Sequence, residues 1–200
     1  YMIKLYKRPR QIPKDQLQRT LYFAYGMNTN HDEMAMRCPD STFIRKATLR
    51  NHKLTFQHVA DYTYAKGYIS HGALWLISAT DEKALDRLEG YPNHYTKNYV
   101  KIDWMGRKTS VMIYQMLARD NYAIPNSHYE NCLRKGYEQS GMKLKQIDRA
   151  VKHAREYTIK KQAELTQIDL YDTEYQESIE ELDFTRSSYV PVRERIKWLK

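Results

Sequence analysis

Glu89 closes the stretch Leu85-Asp86-Arg87-Leu88-Glu89-Gly90-Tyr91, one residue before a glycine that stops a helix. In a helix Leu85, Leu88 and Glu89 share one face. That face sets the carboxylate against apolar and aromatic neighbours, where desolvation raises its pKa toward a useful acid/base range. Asp86 is expected to be more solvated. By position alone, Glu89 reads first as a surface acid at a helix end. A second constellation is Tyr25-Gly26-Met27-Asn28, where an aromatic run meets a glycine. Glycine there allows a sharp turn and lets a ligand approach without meeting a Cβ. Successive amides in such a turn can converge on a carboxylate. Taken alone, the same residues also describe an ordinary strand-to-helix link.

The elements that position these residues follow from the pattern around them. Leu21–Tyr25 is a short buried strand running into the turn. Asn30-His31-Asp32-Glu33 caps a short helix that ends near Pro39. Phe43–Leu49 and Lys53–His58 alternate as two strands, with a turn at Asn51-His52 and a loop over 60–68. Gly72–Ile77 is a core strand, and Thr80–Leu88 a helix stopped by Gly90. Tyr99–Trp104 and Thr109–Leu117 form a hairpin around Gly106. Helices follow from Pro125-Asn126-Ser127 to Gln139 and from Lys145 to Tyr157, separated by Gly141. The expected fold is α+β: a small mixed or antiparallel β-barrel of roughly six strands with flanking helices. Residues 1–20 read as an N-terminal extension with a short strand at Met2–Tyr6, and 21–160 as the domain. Residues 161–200 read as a mildly acidic extension, helical around Thr173–Leu182 and irregular beyond Phe184.

Net charge is +9, and it is concentrated before residue 161. Such a basic body suits an anionic metabolite, nucleic acid or the chain's own acidic tail. Lys143, Lys145, Arg149, Lys152 and Arg155 fall partly on one helical stripe, which reads as a solvated face or as a phosphate-contacting one. Tyr62, Tyr64 and Tyr68 with Lys66 read as a polar loop near a cleft or as a stacking loop for bases. The seven histidines lack metal-ligand spacing, so no metal is expected. Cys38 and Cys132 stand apart and read as reduced thiols. The chain lacks an apolar run of membrane length, and its first residues lack the apolar core of a signal peptide. The expected location is the cytoplasm.

Taken together, these segments carry a resemblance. LYFAYGMNTN resembles the YGSN-type signature of gamma-glutamylcyclotransferases, and RCPDSTFIRKATLRNHKLTF the segment that follows it. GALWLIS and LDRLEGYPNHYTKNYV resemble the middle strand and the catalytic glutamate segment. VMIYQM and PNSHYENCLRKGYEQSGM resemble the last strand and following helix. The order is kept from Leu21 to Glu156.

The resemblance implies a cofactor-free reaction on a small γ-glutamyl substrate. Its α-carboxylate would sit on the main chain of the turn from Tyr25 through Gly26, Met27, Asn28 and Thr29 to Asn30. The α-amine would attack the γ-carbonyl and release 5-oxoproline, with Glu89 as general acid/base. Tyr129 matches a tyrosine that contacts substrate in the family, Tyr114 a strand tyrosine near the same cleft, and Tyr95 stands at the spacing where the family often has an aromatic; each also reads as core or cleft-wall packing. Met27 stands where Ser is common, and Thr29 where Leu is usual. A monomer or homodimer is expected. The other function considered is a non-catalytic binder of the same fold, holding nucleic acid or an anionic metabolite on its basic surface.

Overall fold

The computed structural model describes residues 18–117 and 121–181, the last eleven of them by backbone alone. The extension strand at Met2–Tyr6 and the segment beyond Phe184 lie outside the described residues. The chain divides into two compact units at Ala154/Arg155.

Strand β1 (Arg19–Ala24) is central to a five-stranded mixed sheet. The others are β2 (Thr42–Gln57), β3 (Val59–Ser78), β4 (Tyr95–Trp104) and β5 (Arg107–Met116), in the order β2-β3-β1-β5-β4. β1 pairs antiparallel with β3 and parallel with β5. A strand covered on both faces needs an unbroken apolar run, and Tyr22 to Tyr25 supply one. Phe23 and Tyr25 join one core with Leu49, Phe56, Tyr62, Leu74 and Ile113. Tyr22 and Ala24 join the other with Met34, Trp75, Leu85 and Tyr114. The edge strands approach each other where Arg50 of β2 meets Asp103 of β4 at 3.7 Å. Among the described residues no ladder joins those edges.

The helices are α1 (His31–Arg37), α2 (Ala79–Glu89), α3 (Ser127–Gln139) and α4 (Lys145–Glu181). Asn30 caps α1 by accepting from the amides of Asp32 and Glu33. Ser78 and Asp81 form a capping box at the start of α2, and Gly90 ends that helix in the left-handed conformation. Asn126 caps α3.

Three sequence readings are corrected. The turn at Asn51-His52 and the loop over 60–68 are not chain reversals. β2 runs through Asn51 as a bulge, with Asn51 at φ 58, a conformation that asparagine tolerates. Residues 60–64 pair with 52–56, and the buried Tyr62 ring stacks on Tyr25 with centroids 4.3 Å apart. The reversal falls instead at His58, also at positive φ. Two expected strands thus merge into one, leaving five. The helix expected to end at Tyr157 continues to Glu181 because no glycine or proline interrupts 158–181. Its buried residues Ile147, Ala150 and Ala154 belong to the first core.

Helix α3 presses on the segment after β1 through Gly136. A Cβ there would lie 2.4 Å from the Asn30 amide nitrogen and 2.5 Å from Thr29 Oγ1. Gly136→Ala should therefore destabilise the fold by about 1–3 kcal/mol through overpacking. Urea unfolding checks this as a lower midpoint at unchanged slope; an unchanged midpoint would contradict the packing argument.

Candidate active site

Between the end of β1, the end of α2 and the start of α3 lies a cavity of about 280 Å³. Glu89 and Asn28 face it, and Tyr22, Tyr25, Tyr95, Tyr114 and Tyr129 supply much of its wall. Tyrosine suits this position because the ring covers apolar surface while the hydroxyl finds a partner elsewhere. Tyr25 donates to the main-chain oxygen of Tyr114 at 2.6 Å. Tyr114 donates to Asp86 at 2.6 Å. All these phenols are held protonated, with pKa values raised first by burial.

The helix end delivers Glu89 to Asn28. Asn28 Nδ2 donates to Glu89 Oε1 at 3.1 Å and to the Tyr22 hydroxyl at 3.0 Å. Asn28 Oδ1 accepts from Arg37 at 2.7 Å. The Glu89 carboxyl is pushed up to about 7 by burial, opposed by the Arg37 cation and then by the Asn28 hydrogen bond. A carboxyl poised there changes protonation close to neutral pH.

The turn is a single 3₁₀ segment, Met27–Thr29. Gly26 has an ordinary negative φ of −98°, so no left-handed turn demands glycine. Close packing does: a Cβ would come within 3.1 Å of the Tyr129 hydroxyl and 3.3 Å of Ala60. That hydroxyl accepts from the Ala60 amide at 3.0 Å, and the Met27 amide favours its ionised form. One main-chain donor therefore bonds the oxygen beside Glu89 and a second acts on it.

Of the residues expected from sequence, Tyr25, Gly26, Met27, Asn28, Glu89, Tyr95, Tyr114 and Tyr129 come together around the cavity. Thr29 and Asn30 do not line it. Thr29 is packed under α3 at Gly136, and the Asn30 side chain caps α1 and donates to the Cys132 carbonyl. Leu88 is not part of a buried face: it stands 52 % exposed at the cavity rim, whereas Leu85 is fully buried. Asp86 is less solvated than expected, being bonded to Tyr114 and ion-paired with Lys97. Sequence reasoning missed Tyr22, Arg37 and Asp61. Arg37 also reaches the Met27 sulfur at 3.1 Å. Asp61 is buried and accepts from Tyr25 and from the Met116 amide. No serine, threonine or cysteine lines the cavity among the described residues. Among them, too, no three His, Cys, Asp or Glu cluster as a metal site, and no helix is long and apolar enough to cross a membrane.

Sheet order, helix placement and enclosed carboxylate define an α+β domain of the gamma-glutamyl cyclotransferase type. Residues 22–131 match the family described as Gamma-glutamyl cyclotransferase, AIG2-like, and the chain belongs to that family. The fold is similar to that of an uncharacterized protein from Homo sapiens, at 25 % identity and TM-score 0.59 over 66 % of this chain and 86 % of that one. It is also similar to a structure described as a gamma-glutamyl cyclotransferase, at 24 % identity and TM-score 0.58 with the same coverage. YkqA from Bacillus subtilis shares 18 % identity at TM-score 0.58, over 69 % of this chain and 55 % of that one. No protein with a curated description matches the chain.

The raised Glu89 pKa has a consequence for stability. The folded carboxyl holds its proton to about 7, against 4.5 for an ordinary glutamate. Stability from that protonation is complete below the lower value and is lost as pH rises through the upper one. Glu89→Gln cannot ionise. Its unfolding free energy relative to wild type should therefore increase from about pH 5 to about pH 8, read by urea titration across that range. A difference independent of pH would mean that Glu89 titrates as an ordinary surface acid.

Proposed function

We propose that the protein is a cyclotransferase that converts a γ-glutamyl amine or γ-glutamyl peptide into 5-oxoproline and the free amine. The observation that carries this reading is the Asn28–Glu89 hydrogen bond, which joins a main-chain donor turn to a carboxyl poised near neutrality. The substrate's α-carboxylate would take the donors of the Met27 and Ala60 amides, displacing the Tyr129 hydroxyl from the Ala60 amide. Its α-amine would then lie toward Glu89.

Glu89 takes a proton from the α-ammonium, and the freed amine attacks the γ-carbonyl carbon. The new C–N bond closes a five-membered ring. The bond to the leaving amine breaks as Glu89 returns that proton to the departing nitrogen, and the second proton of the ring nitrogen passes through the same carboxylate to the released amine, which leaves as an ammonium. Both reacting groups belong to one substrate, so holding it bent supplies a large part of the rate. The tyrosine wall limits water, which would otherwise divert the reaction to hydrolysis. At about 280 Å³ the cavity lies just below the range of about 300–1,000 Å³ for ligand pockets, which suits a substrate of dipeptide size.

Glu89→Gln should lower 5-oxoproline release by about 10²–10⁴-fold, followed by mass spectrometry over a panel of γ-glutamyl compounds. For wild type, kcat/KM should rise as pH passes through about 7, because the free enzyme needs the ionised carboxylate. Full activity in the variant, or no 5-oxoproline from wild type across the panel, would refute the mechanism.

A further inference from the structure

A second cavity of about 500 Å³, larger than the first, lies between β2, β3 and the first turns of α4. Four cations stand in its lining: Lys53 from β2, Lys143 before α4, and Lys145 and Arg149 from α4. Lys145, Arg149 and His153 recur every four residues, which places them on one helical stripe. Among the described residues none of the four cations forms an ion pair. Lys53 stands 5.9 Å from the Tyr122 ring centroid, and Lys143, Lys145 and Arg149 are exposed, so the combined positive field of the four around one concavity is open to a multiply charged anion. The amino end of the long helix α4 adds a positive field.

The floor of this cavity is ordered. Gln146 accepts from the His71 amide at 2.8 Å and donates to the Tyr62 and Tyr137 hydroxyls at 2.9 and 2.8 Å. The His71 ring feels the same positive surroundings, since burial and then Lys46 and Lys143 hold its pKa down. At the lip, Tyr68 and Ile69 are 56 % and 54 % exposed, an apolar and aromatic edge beside the cations. Phosphate matches the cations, with Arg149 able to take two oxygens at once. A planar base matches the exposed Tyr68 ring.

We propose that this second cavity binds a nucleoside polyphosphate, with its phosphates among Lys53, Lys143, Lys145 and Arg149 and its base on Tyr68 and Ile69. This site is separate from the Glu89 cavity and does not depend on the reaction assigned there. Calorimetric titration of the full chain with ATP in EDTA should give saturable one-to-one binding. Inorganic triphosphate should bind more weakly, and adenosine should give no heat. The Lys145→Gln/Arg149→Gln pair should weaken ATP binding by about tenfold or more with unchanged circular dichroism; both side chains are exposed. Lys143→Gln alone should give a smaller loss. Tyr68→Ala should weaken ATP but leave triphosphate unchanged. The proposal is overturned if ATP binds the double variant as it binds wild type. It is also overturned if Glu89→Gln abolishes ATP binding, which would place the nucleotide in the first cavity. Capture of a single-stranded RNA oligomer without saturable ATP binding would overturn it in favour of a nucleic-acid strand.

Discussion

One primary amide connects most of the site. Asn28 is 5 % exposed, and its side chain bonds Glu89, Tyr22 and Arg37 at once. Those partners come from α2, β1 and α1, so the bonds lock three elements around one position. A buried amide left half-satisfied would be costly. The cost of losing any partner therefore helps hold the others in place. The same amide sets the electrostatics. Burial alone favours a protonated Glu89, and the Arg37 cation and the Asn28 hydrogen bond favour the ionised form. Neutral poise is the result of that opposition.

The tyrosine wall follows from what Glu89 requires. Aliphatic side chains would desolvate the carboxyl equally well but offer no anchorage to the layer behind. Here the Tyr114 hydroxyl reaches Asp86, which shares Lys97 with Glu82. Glu82 in turn accepts from Thr20 on β1. This outer network ties β1, α2, β4 and β5 together. The Lys97 ammonium also stands 5.0 Å over the Tyr91 ring, a favourable cation–π placement. The cavity shape is thus fixed by polar contacts outside it, leaving its interior surface mostly apolar.

What was legible in the sequence was mainly local. Asn30 as a cap, Gly90 as a helix end and the β4–β5 hairpin around Gly106 each depend on neighbours within a few residues. Glu89 and the Tyr25–Asn28 turn became readable through the order of segments, since neither has a decisive pattern of its own. Arg37 was hidden because its partner Asn28 lies on a separate element, and nothing in the sequence ties the two. Asp61 was hidden for another reason: in a polar, tyrosine-rich stretch it looks like a loop acid. Yet it is fully buried, with pairing across to Thr55 fixing its strand. The resemblance extends the main-chain cradle to Thr29 and Asn30. Two residues further along the chain, the backbone has already rotated toward α3, and their side chains serve packing and capping.

Tyr62 shows why the two cavities cannot be treated as unrelated pieces of surface. One face of its ring stacks on Tyr25, which lines the first cavity. Its hydroxyl donates to the His71 carbonyl at 2.6 Å and accepts from Gln146, both of which line the second. The side chain itself is fully buried. A close-packed interior passes displacement on, because it has few voids in which to absorb it. The basic cavity and the Glu89 cavity are therefore distinct spaces with a packed layer between them, Tyr25 on one side, Gln146 on the other and Tyr62 in the middle. The long β2–β3 hairpin carries Tyr62 along with Ala60, Tyr68 and His71, and so supplies residues to both walls.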